Sequence, residues 1–195
     1  MQNGSTMLRH CELAAGELLY CAGKAGSAWV LLEGSIRLDR PGVADEAGFA
    51  GLAIKGDILG AETLLLDSYT YSATALTACK LARWPGDAVQ PEPAALLKAL
   101  TNAERRGADA VALRCGEAAS RVRRLIGLMA EALPARQISR LMLPALRDMA
   151  DITALTIGTV SRILVQLQAE GLLARSDTQR GRPRTGGEAH GVQTY

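Results

Sequence analysis

Apolar positions between Leu143 and Arg175 recur with the period of a helix. Val160, Ile163, Leu164 and Leu167 fall at i, i+3, i+4 and i+7, one buried stripe. Thr156 stands where a hydroxyl can cap the first turn, and Gly171 stands where the helix should stop. Gly158, Ser161 and Arg162 lie on the opposite face, near the N-terminal end. Just upstream, Leu146, Met149, Ala150 and Ile152 supply the apolar face of a shorter helix, and Pro144 suits its first turn. The pattern breaks at Thr153-Ala154-Leu155. A small residue, Ala150, at the crossing and a β-branched Val160 facing back across a tight turn predict a helix-turn-helix.

Two further helices are predicted before it. From Ala94 to about Arg114, Leu96, Leu97, Leu100, Ala103, Gly107, Ala110 and Val111 recur at helical spacing. From Ala118 to Leu133, Val122, Leu125, Ile126, Met129 and Leu133 form the buried side of an amphipathic helix, with Cys115-Gly116-Glu117 as the hinge before it. Residues 1–90 read differently. Short apolar runs separated by glycines predict strands at Trp29–Leu32, Ser35–Leu38, Ile58-Leu59, Thr74–Thr77 and Lys80–Trp84, hence a sandwich or barrel. A last strand is expected at Leu172–Arg175.

Net charge is only +2, but its distribution divides the chain. Residues 1–120 hold 11 Lys/Arg against 14 Asp/Glu, a net −3, whereas residues 121–195 hold 11 Arg and no Lys against 6 Asp/Glu, a net +5. An all-arginine basic half beside an acidic half predicts a nucleic-acid module joined to something else. No apolar run reaches the ~20 residues that span a bilayer, and no secretion signal is read, so a cytoplasmic protein is expected. No nucleophile–base pairing or metal-ligand spacing is visible, and histidine occurs only at 10 and 190, so no enzyme activity is expected.

Met149-Ala150-Asp151, Leu155-Thr156, Thr159-Val160-Ser161-Arg162 and Glu170-Gly171-Leu172 together resemble the DNA-binding module of the Crp/Fnr family of bacterial transcription regulators. The first half resembles the β-roll sensor of the same family at Ala15-Gly16-Glu17, at Val30–Leu38, at Lys55–Gly60 and at Tyr71–Thr74. The resemblance implies an α+β fold: an N-terminal antiparallel, jelly-roll-like β-roll (residues 1–92), a long dimerisation helix and hinge (93–116) and a winged-helix-type helix-turn-helix domain (117–175). A basic tail (176–195), expected to be disordered, follows. It also implies a homodimer on a pseudo-palindromic site of double-stranded DNA, with RNA polymerase as a further partner and no membrane.

By the same resemblance, the second helix enters the major groove. Arg162 would grip guanine O6/N7 with its planar fork, and Ser161, Thr156 and Thr159 would reach backbone or base edges. Two positions depart from the family. Gly158 stands where a glutamate usually accepts from cytosine N4, and Ala154 stands in the turn where glycine is usual. After Arg175, Arg180-Gly181-Arg182-Pro183 resembles the core of an AT-hook, in which Arg180 and Arg182 would enter an A·T minor groove; a generic basic tail is the plainer reading.

In cyclic-nucleotide-binding relatives, a Gly-Glu pair takes the ribose and an Arg-Ser pair the phosphate. Here the matching pocket positions are Glu62, set off from Gly60 by Ala61, and Tyr71-Ser72. Tyrosine lacks the positive fork that a cyclic phosphate needs, so an effector other than a cyclic nucleotide is expected. Cys11, Cys21, Cys79 and Cys115 lack the close spacing of the family's iron–sulfur sensors, and His10 is the one histidine near the sensor. No cofactor is therefore expected, with haem or an iron–sulfur cluster as the remote alternatives. The other functional reading is an effector-binding module with weak, sequence-blind DNA association.

Overall fold

The computed structural model describes residues 10–42, 48–86, 91–132 and 138–174. Eight strands come first: β1 (His10–Leu13), β2 (Leu18–Tyr20), β3 (Trp29–Glu33), β4 (Ser35–Arg40), β5 (Gly48–Ile54), β6 (Ile58–Leu59), β7 (Ser72–Ala75) and β8 (Cys79–Arg83). Four helices follow: α1 (Pro93–Ala112), α2 (Ala118–Ala132), α3 (Leu146–Thr153) and α4 (Ile157–Ala169).

The strands make two antiparallel four-stranded sheets, ordered β1-β8-β3-β6 and β2-β7-β4-β5. The chain passes from one sheet to the other at Gly34, between β3 and β4. Its φ is +91°, and a Cβ there would sit 2.3 Å from the Ala78 carbonyl oxygen, so only glycine fits. Leu31, Ile36, Ala53, Ala73, Ala75 and Leu81 fill the space between the sheets. This is the expected β-roll, with strands β1, β2 and β5 added to those read from sequence.

A second core lies outside the sheets. Phe49, Leu52 and Ile54 of β5 pack with Leu113 and with Val122, Leu125 and Met129 of α2. Met149 and Ile152 of α3 and Val160, Leu164 and Leu167 of α4 complete it. Strand β5 is thus covered on both faces, by the β-roll on one side and by helices on the other. Each fully buried aliphatic side chain in this cluster stabilises the fold by roughly 1.5–3 kcal/mol.

Three expectations are corrected. Helix α3 begins at Leu146 with Ala145 as its cap, so Pro144 precedes the helix and does not sit in its first turn. The strand expected at Leu172–Arg175 is reduced to one isolated parallel bridge between Ser139 and Ala174, because Ile138 O is the acceptor that Ala174 N finds, at 2.9 Å. Arg121, Arg123 and Arg124 on α2, expected to face DNA or solvent, bond inside the molecule. Arg121 donates to Gly116 O and Thr153 O, Arg123 pairs with Glu170, and Arg124 pairs with Asp109. No single described helix is long and apolar enough to cross a membrane.

Candidate functional site

Helices α3 and α4 meet at 104° through Ala154-Leu155-Thr156. Ala154 takes the left-handed conformation, φ 50° and ψ 47°, and is the one non-glycine residue with positive φ among the described residues. An L-residue there costs roughly 1–2 kcal/mol, whereas glycine's added chain entropy costs roughly 0.5–1 kcal/mol. Ala154→Gly is therefore expected to stabilise the protein by about 0.5–1 kcal/mol. Thermal denaturation should show a midpoint a few degrees higher; a lower one would mean that the turn carries no strain.

Thr156 caps α4 as expected. Its Oγ1 accepts from Thr159 N at 3.2 Å and lies 2.9 Å from Thr159 Oγ1, so the two hydroxyls share one hydrogen bond. Val160, Ile163, Leu164 and Leu167 are buried, which fixes the face that α4 turns away from solvent. The other face carries exposed Gly158 and Arg162, with Ser161 half-buried between them. At Gly158 an added Cβ would meet only Thr156 Oγ1, 4.0 Å away, so the missing side chain leaves a gap and relieves no clash. Ile157, the first residue of α4, is 50% exposed and is not among the residues that the sequence pattern singles out, which are its polar and glycine neighbours. Its signal in the sequence is an isoleucine outside the i, i+3, i+4 stripe. Arg180 and Arg182 lie outside the described residues.

The effector positions do not converge. Glu62 lies on a short 3-10 helix (Ala61–Leu64) and its Oε1 accepts from Thr70 N at 3.0 Å. Ser72 Oγ accepts from Ala22 N at 3.0 Å. Tyr69 organises this corner: its ring stacks on Tyr20 at 3.7 Å between centroids, and its hydroxyl accepts from Ser27 N and donates to Ser27 O, both at 2.8 Å. Glycine is required at 26 and 60 because a Cβ would come within 2.0 and 2.6 Å of that ring or its hydroxyl. Glu62 and Ser72 are thus occupied in holding backbone.

Tyr71 instead lines a cavity of about 250 Å³ between β5, β6 and α1. Leu38, residues 50–53, Ile58 and Leu59 make its apolar wall, and Ala99, Ala103 and Gly107 of α1 close it. Arg106 is the one cation among the described residues that line it, and its charge is already shared. Its Nε donates to Asp57 Oδ2 and its Nη1 to Asp109 Oδ2, each at 2.7 Å, with Glu131 at 4.0 Å from Nη2. Asp57 is buried, accepts a further bond from Ile54 N at 2.9 Å, and leaves Oδ1 without a partner among the described residues. Burial pushes the Asp57 carboxyl above the usual carboxylate range, against the opposing pull of Ile54 N–H and Arg106.

A second polar cluster joins the β-roll to α3. Arg37 of β4 donates to Asp39 at 2.7 and 2.8 Å and to Asp151, with Asp148 at 3.9 Å. Arg114 donates to Asp151 O at 2.8 Å, and the guanidinium groups of Arg37 and Arg114 lie 5.9 and 5.4 Å from the Phe49 ring centre. Cys79 is buried and bonds the Ser35 and Thr77 carbonyls, and burial raises the Cys11 thiol, with Glu17 adding to it. Among the described residues, no three His, Cys, Asp or Glu gather closely enough to hold a metal ion.

Residues 10–91 match the family model of the cyclic nucleotide-binding domain. No curated protein matches the sequence significantly. Among solved structures, the chain is similar to a CRP-family transcriptional regulator of Thermus thermophilus, at 25% identity and TM-score 0.62 over 85% of this chain and 88% of that one. It shares the fold of FixK2 from Bradyrhizobium japonicum, at 20% identity and TM-score 0.65 over 86% and 88% of the two chains. A second Thermus thermophilus regulator, of the CRP/FNR family, gives 20% identity and TM-score 0.56 over 84% and 87%. Residues 10–91 therefore belong to the cyclic nucleotide-binding domain family, within a chain that has the fold of the CRP/FNR transcriptional regulators.

Proposed function

We propose that the protein is a homodimeric, sequence-specific DNA-binding transcription regulator in which α3 and α4 form the helix-turn-helix. The observation that carries this reading is α4 itself. Its cap is satisfied by Thr156, its apolar stripe is fully buried, and Arg162 with Ser161 stands on the outward face near its N-terminal end. In helix-turn-helix proteins the N-terminal residues of the second helix contact base edges. Arg162 is the side chain suited to guanine, since two parallel N–H bonds reach O6 and N7. Thr156 and Thr159 have each other's hydroxyls as partners and retain acceptor capacity only, so a phosphate contact from them needs a hydroxyl to turn.

The dimer is supported by α1, which leaves Leu96, Leu97, Leu100 and Val111 between 46% and 66% exposed. So much apolar surface on one helix favours a second copy as its cover. Two reading helices related by a two-fold axis would meet half-sites about one DNA turn, ~34 Å, apart. RNA polymerase as a further partner, a cytoplasmic location and the absence of enzyme activity follow from the family resemblance. An effector, where one acts, is not a cyclic nucleotide on this reading. Tyr71 replaces the phosphate-binding arginine, and the nearest cation, Arg106, is already engaged by two carboxylates.

Selection of bound duplexes from a random pool, by wild type and by Arg162→Ala at matched salt, tests the reading. Wild type is expected to enrich an inverted repeat, and the variant to lose preference at one base pair per half-site, worth about 1–3 kcal/mol each. Enrichment of nothing, or of A·T-rich DNA by both proteins alike, would instead favour an effector module with sequence-blind binding.

A further inference from the structure

We propose that Ile157 is a base-reading residue, recognising the C5 methyl group of a thymine in the major groove beside the base pair read by Arg162. The inference rests on the assignment of α4 as the DNA-reading helix. Three observations carry it.

Ile157 opens α4, directly after the Thr156 cap, in the part of a reading helix that goes deepest into the groove. It is 50% exposed, although no apolar residue in the helix's buried stripe is more than 9% exposed. A large aliphatic group at the first turn of an otherwise polar face has no packing role there. Its neighbours also favour a duplex partner. Ser161 lies four residues on from Ile157 and Arg162 four on from Gly158, so the pairs form two adjacent rows along the helix. Gly158 places nothing between Ile157 and Arg162, and no group lies within 4 Å of where its Cβ would be except Thr156 Oγ1. The backbone of the first turn can therefore come close to the base edges.

The chemistry of the groove decides the occupant. Thymine alone among the four bases presents a methyl group in the major groove, and aliphatic side chains contact it. Glutamate next to Ile157 would have selected cytosine through its N4 amino group; glycine at 158 gives up that hydrogen bond and leaves the methyl contact as the discriminating one. The half-site is thus expected to pair a guanine, read by Arg162, with a nearby thymine, read by Ile157.

The experiment uses the full chain and the duplex that wild type enriches. Each thymine is replaced in turn by deoxyuridine, which keeps every hydrogen-bonding group and lacks only the methyl. Affinity is then measured by fluorescence anisotropy for wild type and Ile157→Ala. One thymine per half-site is expected to matter, with about fourfold weaker binding for one substitution and about 15-fold for both, from the burial of a single methyl in each half-site. Ile157→Ala should be indifferent to the same replacement and keep the wild-type melting temperature, because the side chain is half exposed. Wild-type binding that ignores every deoxyuridine, or a variant as sensitive as wild type, overturns the role of Ile157 and leaves the DNA-reading assignment standing. If wild type enriches no duplex, that assignment falls and this inference with it.

Discussion

Arg106→Met is expected to destabilise the protein by about 3–5 kcal/mol, the cost of leaving buried carboxylates without their cation. Arg106 is 19% exposed, and its partners Asp57 and Asp109 are 6% and 11% exposed at their side chains. Asp109 keeps a second partner, since Arg124 of α2 donates to its Oδ1 at 2.8 Å. Asp57 keeps only the Ile54 N–H. The four side chains run from the turn before β6 through α1 to α2, so the substitution cuts the polar connection between the β-roll and the helical region at its middle. For a chain of this size each kcal/mol moves the melting point by roughly 2–4 °C, giving a drop of roughly 6–20 °C at pH 7.

The pH dependence has a defined sign. The folded pKa of Asp57 lies above its unfolded value because of burial. Its protonated form therefore contributes stability that is fully present below the unfolded pKa and lost as pH rises through the folded one. Arg106 opposes that rise, so removing it lifts the carboxyl further and widens the window upward in pH. The deficit of Arg106→Met relative to wild type should consequently be largest near neutrality and shrink as pH falls toward about 4, the ordinary carboxylate range. Thermal melts of both proteins across that range measure it, and a deficit that stays constant would mean that Asp57 is not the stranded charge.

Much of the helical region was legible because its signals are local. The α4 stripe, the Thr156 cap and the left-handed turn position at 154 each depend on residues within one or two turns of one another. Strand β5 was not legible for a physical reason: Gly48–Ile54 is covered on both faces, so its sequence GFAGLAI has no polar alternation to betray a strand. The functions of the arginines were hidden in the same way. Asp57 and Arg106 are 49 residues apart, Arg37 and Asp151 are 114 apart, and nothing in either local sequence marks the partner. A basic half-chain suggested a surface for phosphate, yet Arg114, Arg121, Arg123 and Arg124 bond other parts of the molecule. Arg162, without an ion pair among the described residues, keeps the exposure that a base contact requires.

Arg37→Ala is expected to cost about 3 kcal/mol, at the lower end of the range for a broken buried pair because only part of its cluster is dry. Arg37 and Asp39 are 12% and 14% exposed, whereas Asp148 and Asp151 are 41% and 52% exposed. Burial disfavours the Arg37 charge, but the hydrogen bonds from Asp39 and Asp151 outweigh it and hold the guanidinium above its ordinary pKa. Without it, three carboxylates face one another with Arg114 alone nearby, 3.9 Å from Asp151. Asp148 and Asp151 stand three residues apart on one face of α3, so the cluster attaches that helix, and through the shared core α4, to strand β4. A double-mutant cycle with Asp151→Ala isolates the bond across the two regions, with an expected coupling of about 1–2 kcal/mol that weakens in high salt. Additive single effects would mean that Arg37 serves only Asp39 within its own strand. The DNA sequence enriched by Arg37→Ala is expected to be that of wild type, because the substitution frees the orientation of α4 without altering any residue on its reading face.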